Sequence, residues 1–253
     1  MVRRNKKGKT RALIAVLVII IASISAWIYW NRHRPHFVRY PQFGIELPTN
    51  FAIHGIDVSK YQKEIDWEEV KRMKVKNIQI NFAFMKATEG LNNVDSYFKR
   101  NWNKAQQAEM TRGAYHYFLA TKSGKAQAKN FVNVVELEKG DLPPVVDIEQ
   151  TYGVEPEQLR MRLKEFLDTL EEYYGLTPIL YTNVDFYNYY LKGQFDHYPL
   201  WVAHYFQKKR PRISRAWHFW QHSEAGNVSG IEEKVDFNVF NGDSTDFRSL
   251  LLQ

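Results

Sequence analysis

From about residue 51 to residue 195, short apolar, β-branched runs alternate with stretches of helical character. That alternation limits the chain to a fold with parallel strands and helical crossovers. "FAIHGIDVS" reads as the first strand, and Asp66 and Glu69 form a D-x-x-E capping box ahead of the helix "WEEVKRMK". "NIQINFAFMKATEG" is a second strand and "SYFKRNWNKAQQAEM" a second helix. "RGAYHYFLAT", the helix "KAQAKNFVNVVELEK" and the strand "PPVVDIE" follow. A long amphipathic helix from about Glu155 to Tyr174 stops at Gly175, "TPILYTN" is the fifth strand, and "VDFYNYYLKGQF" is expected to be helical. Then the spacing tightens: "PLWVAHY", "AWHFWQHS" and "VDFNVFNG" come as strands with short connections. Eight strands, the first five separated by helices, predict an α/β barrel of the (β/α)8 type, incomplete because the last strands lack full helices.

Barrel chemistry gathers at the C-terminal ends of the strands. In "PPVVDIEQ" the apolar run ends in two acids separated by one isoleucine. Side chains alternate along a strand, so Asp147 and Glu149 face the same way with Cα atoms about 7 Å apart. Such a pair is either a solvated rim or a working acid couple. The same end collects Asp57, Lys86, Glu89, His116, Tyr117, Tyr181, Asn183, Trp201, His204, Tyr205, Gln221, His222 and Asp236. Carboxylates among aromatic rings suit protonation of a glycosidic oxygen and stacking of sugars. Each member also has a plainer reading: Asp57 as a turn former, Glu89 as a loop charge, His116 as core, Asp236 as a salt-bridge partner. Asp57, Asp147, Glu149 and a histidine are also compatible with a divalent cation. However, the chain has no H-x-H or H-E-x-x-H, and its eight histidines are scattered, with His33 and His36 ahead of the barrel. We therefore expect no metal and no cofactor.

The formal charge of +7 would suggest nucleic acid if it were spread over the body. It is not. Nine of the 35 basic residues lie in residues 1–40, which contain no acid, leaving 26 basic against 28 acidic residues elsewhere. No nucleic-acid partner is expected. The basic residues flank nineteen uncharged ones, "ALIAVLVIIIASISAWIYW", at residues 12–30. As a helix they span about 28 Å, close to the hydrocarbon thickness of a bilayer. Trp27, Tyr29 and Trp30 sit at the outer end, where amphipathic rings favour the interface. Six basic residues precede the stretch and three follow, which orients it N-terminus in. The expected organisation is a basic cytoplasmic tail (1–11), a transmembrane anchor (12–30), a linker (31–50, with Pro35, Pro41 and Pro48) and an extracytoplasmic barrel (51–253). A cleaved signal with a small-residue site near Ser23 to Ala26 is the alternative, giving a secreted form. There is no cysteine, so disulfides, a thiol nucleophile and Cys-ligated zinc are excluded.

Seven segments in order, "HGIDVSKYQKEIDWEEVK", "FMKATEG", "RGAYHYF", "PPVVDIE", "ILYTN", "LWVAHY" and "GIEEKVDFNVFNG", resemble glycoside hydrolase family 25, the Chalaropsis-type lysozymes. The resemblance runs from about Ile53 to Gly242. It implies a flattened barrel with a long groove and hydrolysis, with retention, of the β-1,4 bond between N-acetylmuramic acid and N-acetylglucosamine in peptidoglycan. It implies Glu149 as catalytic acid, Asp147 as its assistant, and Asp57 and Asp236 completing the cluster. Lys86, Glu89, Tyr117, Tyr181, Trp201, Tyr205 and Gln221 are then expected to contact a glycan strand, the partner of a monomeric enzyme. The nucleophile, a carboxylate or the substrate's own acetamido group, stays open, as does a non-catalytic peptidoglycan binder on the same fold. Two departures stand out: "WQH" where many relatives have "WQY", placing His222 at an aromatic position, and "VDFYNYY" after "YTN", where a tryptophan is common.

Overall fold

The computed structural model describes residues 6–32, 37–207 and 209–253. Helix α1 (Lys6–Arg32) is followed by an antiparallel hairpin, β1 (Phe37–Tyr40) and β2 (Ile45–Pro48). The body then runs β3 (His54–Val58), α2 (Trp67–Arg72), β4 (Lys74–Val75), β5 (Ile78–Glu89), β6 (Asn93–Val94), α3 (Phe98–Gln107), β7 (Thr111–Tyr117), α4 (Gly124–Val132) and β8 (Val145–Asp147). It continues with α5 (Pro156–Tyr174), β9 (Ile179–Asn183), the short α6 (Val184–Phe186), β10 (Leu200–Ala203), β11 (Phe219–Gly226), β12 (Val235–Phe240) and α7 (Ser244–Leu250).

Eight of these strands close a barrel in the order β3-β5-β7-β8-β9-β10-β11-β12, with β12 returning to β3. Among the described residues no helix lies between β10, β11 and β12. Neighbours are parallel from β3 round to β11, whereas β12 runs antiparallel to both β11 and β3. The sequence pattern does not carry that reversal. Its cause is the connection: a parallel crossover needs a dozen or more residues, and Gly226 is followed by Val235 after only a short loop.

Two apolar layers hold the barrel. The outer one packs α2 to α5 against the strands, with Leu159, Leu163, Phe166, Leu167 and Leu170 of α5 recurring at helical spacing. The inner one fills the barrel with Phe82, Phe84, Trp201, Phe219 and Phe240. Phe84 stacks on Trp201 at 4.4 Å between ring centroids. Room for this filling comes from glycine: a Cβ on Gly55 or Gly113 would stand 2.4 and 2.5 Å from the rings of Phe82 and Phe84.

Several boundaries differ from the sequence reading. Half of the expected capping box forms: Asp66 accepts from the Glu69 amide at 3.1 Å, while the Glu69 carboxylate turns to Arg72 at 2.8 Å. Helix α4 ends at Val132, capped by Asn133, well before Lys139. The helix expected from Val184 is α6 plus a π-helical turn, Tyr187–Leu191. The largest difference lies in the expected linker. Tyr40, Phe43, Ile45 and Leu47 are buried in the outer core, and Phe43 packs edge-on to Phe237 at 5.4 Å, so residues 37–48 are part of the body. Their prolines fit because Pro41 starts the turn and Pro48 ends the edge strand. Residues 33–36, with His33, Pro35 and His36, and residues 1–5 of the basic tail lie outside the described residues.

Among the described residues α1 alone is long and apolar enough to cross a membrane, over Arg11–Asn31 with mean hydropathy 2.6 and nothing buried. Its length and composition fit an anchor and a signal sequence equally.

Candidate active site

The acids expected at the rim come together there. Asp57 ends β3 and stands directly opposite Asp236 across the β3–β12 ladder. Because β12 is reversed, Asp236 reaches this rim from the beginning of its strand, where a parallel strand would use its end. Asp147 ends β8, with Tyr117 and Tyr181 opposite it on β7 and β9. Glu149 follows two residues later, hydrogen-bonded to Asp147.

Beneath the acids lies a connected polar layer. Asp57 Oδ2 accepts from Gln221 Nε2 and from Asn238 Nδ2, both at 2.8 Å. Gln221 Oε1 accepts the hydroxyls of Tyr181 at 2.7 Å and Tyr205 at 2.6 Å. Asn238 Oδ1 accepts from Trp201 Nε1 at 2.8 Å. Amide and ring donors therefore fix Asp57 from below. By contrast, Asp147 Oδ1 is buried with no hydrogen-bond partner among the described residues.

Burial dominates the electrostatics. It pushes Asp147 well above the ordinary carboxylate range, with the Glu149 charge adding to the effect, and it raises Glu149 as well. Burial followed by the Asp57 charge raises Asp236 to about 9, and burial raises Asp57 against the pull of its amide donors. Two like charges in contact away from water cannot both persist. Each pair, Asp147–Glu149 and Asp57–Asp236, is therefore pushed towards holding a proton.

Other expected members divide into two groups. Lys86 is tied to Glu89 at 2.6 Å, and its ammonium lies 4.7 Å above the Tyr117 ring. Tyr117 and Tyr205 are only partly covered and line the rim. Trp201 (2% exposed), Gln221 (2%) and Tyr181 (6%), expected to touch substrate, are buried. They face the top of the inner core and hold the acids in place. His116 is core: buried, it meets Thr88 at 2.7 Å and Gln127 at 3.3 Å, and burial lowers it to about 3. His222 is also buried, 5% exposed, at the position where many relatives carry an aromatic residue.

Three participants escape the sequence reading. Asn238 is fully buried within "VDFNV", and a polar amide inside an apolar strand is the signal that marks it. Tyr115 shares a strand face with Tyr117 and sits among the charges of Asp57, Asp147 and Asp236, its phenol raised well above normal, chiefly by burial. Tyr152, in the loop after Glu149, takes a positive φ of 50° and brings its hydroxyl to 3.1 Å from that of Tyr117. No local pattern announces it.

A closed α/β barrel whose rim carries two pairs of neighbouring carboxyls among aromatic side chains has the equipment of a glycoside hydrolase. Residues 56–231 match glycosyl hydrolases family 25, and the chain belongs to that family. It is 33% identical over 207 residues to lysozyme M1 of Streptomyces globisporus, covering 76% of this chain and 68% of that protein. It is 43% identical over 219 residues to the uncharacterized protein YegX of Escherichia coli K12, covering 87% and 79%. Among solved structures, a family 25 glycosyl hydrolase from Bacillus anthracis superposes with a TM-score of 0.74 at 33% identity, covering 87% of this chain and 98% of that one.

Proposed function

We propose that this chain is a muramidase, cleaving the β-1,4 bond between N-acetylmuramic acid and N-acetylglucosamine in peptidoglycan with retention of configuration. The observation that carries the reading is the contact of Asp147 with Glu149 at the strand end, both raised chiefly by burial, with one buried, unpartnered oxygen on Asp147 among the described residues. Glu149 is the less buried member and the one open to the groove. It donates the proton as the bond breaks.

A carboxylate nucleophile needs to face the acid across the sugar, with the two carboxyl groups about 5 Å apart. Asp147 and Glu149 instead touch each other on one face of one strand end, leaving no space for a ring between them. Asp147 therefore does not serve as the nucleophile, and in our reading the substrate's 2-acetamido oxygen takes that role. It attacks C1 as the leaving group departs, and Asp147 beneath the rim stabilises the positive charge of the cyclic cation. Glu149, now ionised, takes a proton from water, whose oxygen attacks C1 and reopens the ring. Asp57 and Asp236 supply negative charge on the other side, and Tyr117, Tyr205 and the Lys86–Glu89 couple line the groove.

The same reading makes α1 a single-pass anchor with its N-terminus in the cytoplasm and a monomeric barrel facing the wall. Cleavage of α1 as a signal would give a secreted enzyme. The deciding experiment is digestion of purified peptidoglycan by the full-length protein in detergent micelles, with mass spectrometry of the reduced products. Muramitol ends are expected. Glucosaminitol ends or freed peptides would overturn the bond assignment, and the absence of products would favour a glycan-binding role.

A further inference from the structure

Next to the acids, the β1–β2 hairpin, the loop after β10 and strand β11 enclose a cleft of about 420 Å³. Tyr205 belongs to both, lining the cleft and donating its hydroxyl to the Gln221 that holds Asp57. The hairpin wall lies outside residues 56–231, the span matched by the family model.

Three observations mark the cleft as more than a surface dent. Phe206 is 92% exposed and holds a positive φ of 57°, a strained backbone for a bulky side chain, which keeps an aromatic ring in solvent at the mouth. His222 lines the cleft, is 5% exposed, and neither ring nitrogen has a partner among the described residues. Finally, the rim carries charges of both signs. Arg39 and Glu46 face each other across the hairpin, Glu224 stands on β11, and none of the three is in an ion pair among the described residues.

The sugar rings are neutral, and on a peptide-bearing strand the lactyl carboxyl of muramic acid is tied up as an amide, so the glycan itself offers such charges no counter-ion. A short peptide with a free amine, free carboxylates and methylene groups between them complements one cation, two carboxylates and aromatic rings. We propose that this cleft is a subsite for the stem peptide that peptidoglycan carries on its muramic acid residues. Arg39 takes a peptide carboxylate, Glu46 and Glu224 take the amine, and Phe206 covers the aliphatic part. The proposal rests on the muramidase reading and adds a substrate preference to it.

The test compares two substrates for the full-length protein in detergent micelles: glycan strands with intact stem peptides, and the same strands stripped by an amidase. The wild type should show the higher kcat/KM on the peptide-bearing strands. Arg39→Ala and Phe206→Ala should each lower that value by about threefold to fivefold, the size of one partly exposed contact, and leave stripped glycan unaffected. Equal wild-type rates on both substrates overturn the peptide subsite while leaving the muramidase reading intact. Equal losses on both substrates in the variants also overturn it, by making the cleft a sugar site. No cleavage of either substrate overturns the underlying reading, and the subsite with it.

Discussion

In the proposed mechanism the proton of the Asp147–Glu149 pair leaves through Glu149. Glu149→Gln keeps the shape and hydrogen bonding but cannot give up a proton, so glycan cleavage should fall by roughly 10²–10⁴-fold with binding retained. Muropeptide release, with thermal melting as a folding control, measures this; near-wild-type turnover in a folded variant would reject the assignment. Asp236 makes a second, thermodynamic prediction. Its carboxyl is raised from 3.8 to about 9, so between those values the folded chain keeps a proton that the unfolded chain releases. Folding stability then falls as pH rises through that window and levels off above it. Asp236→Asn removes the dependence, so its melting temperature should gain on that of the wild type from about pH 4 to pH 9; parallel curves would contradict the shift. Asp147 and Glu149 are legible in sequence because acids seldom end an apolar strand side by side. Asn238 and Trp201 are harder to read, since their roles depend on which buried neighbour they meet, and that is settled by packing across the barrel.

Elements were legible wherever a period was sustained. The eight strands announce themselves by β-branched runs, and α5 by its leucines at helical spacing. Strand direction has no periodicity, so the reversal of β12 was invisible except through loop length. The β1–β2 hairpin was hidden for another reason: four-residue strands among prolines look like a tether until their apolar side chains are seen to be covered. Its burial carries a prediction. Phe43 is fully buried against Phe237, so Phe43→Ala should destabilise the protein by about 3–5 kcal/mol, measured by urea unfolding. A loss under 1 kcal/mol would return residues 37–48 to the status of a linker.

At the scale of the whole molecule, the formal charge misleads until it is located, because the basic residues crowd at one end and the barrel is nearly neutral. The exposed apolar surface of α1 and the basic asymmetry around it predict an N-in, C-out protein. A reporter active only outside the cytoplasm, fused after Gln253, should be active and sediment with membranes. Full activity in a soluble fraction with a new N-terminus near Ala26 would show cleavage instead. The antiparallel closure of the ring also has a consequence for how the site is assembled. Asp57 is synthesised early, yet its partner Asn238 lies 181 residues further along, and Asp236 arrives on the same final strand. A nascent chain that stops short of Val235 has an open seam beside β3 and an acid with neither its amide donor nor its carboxyl neighbour. The acidic cluster is thus complete only once β12 has docked against β3, so the site is assembled by the closure of the barrel and not by any local stretch of chain.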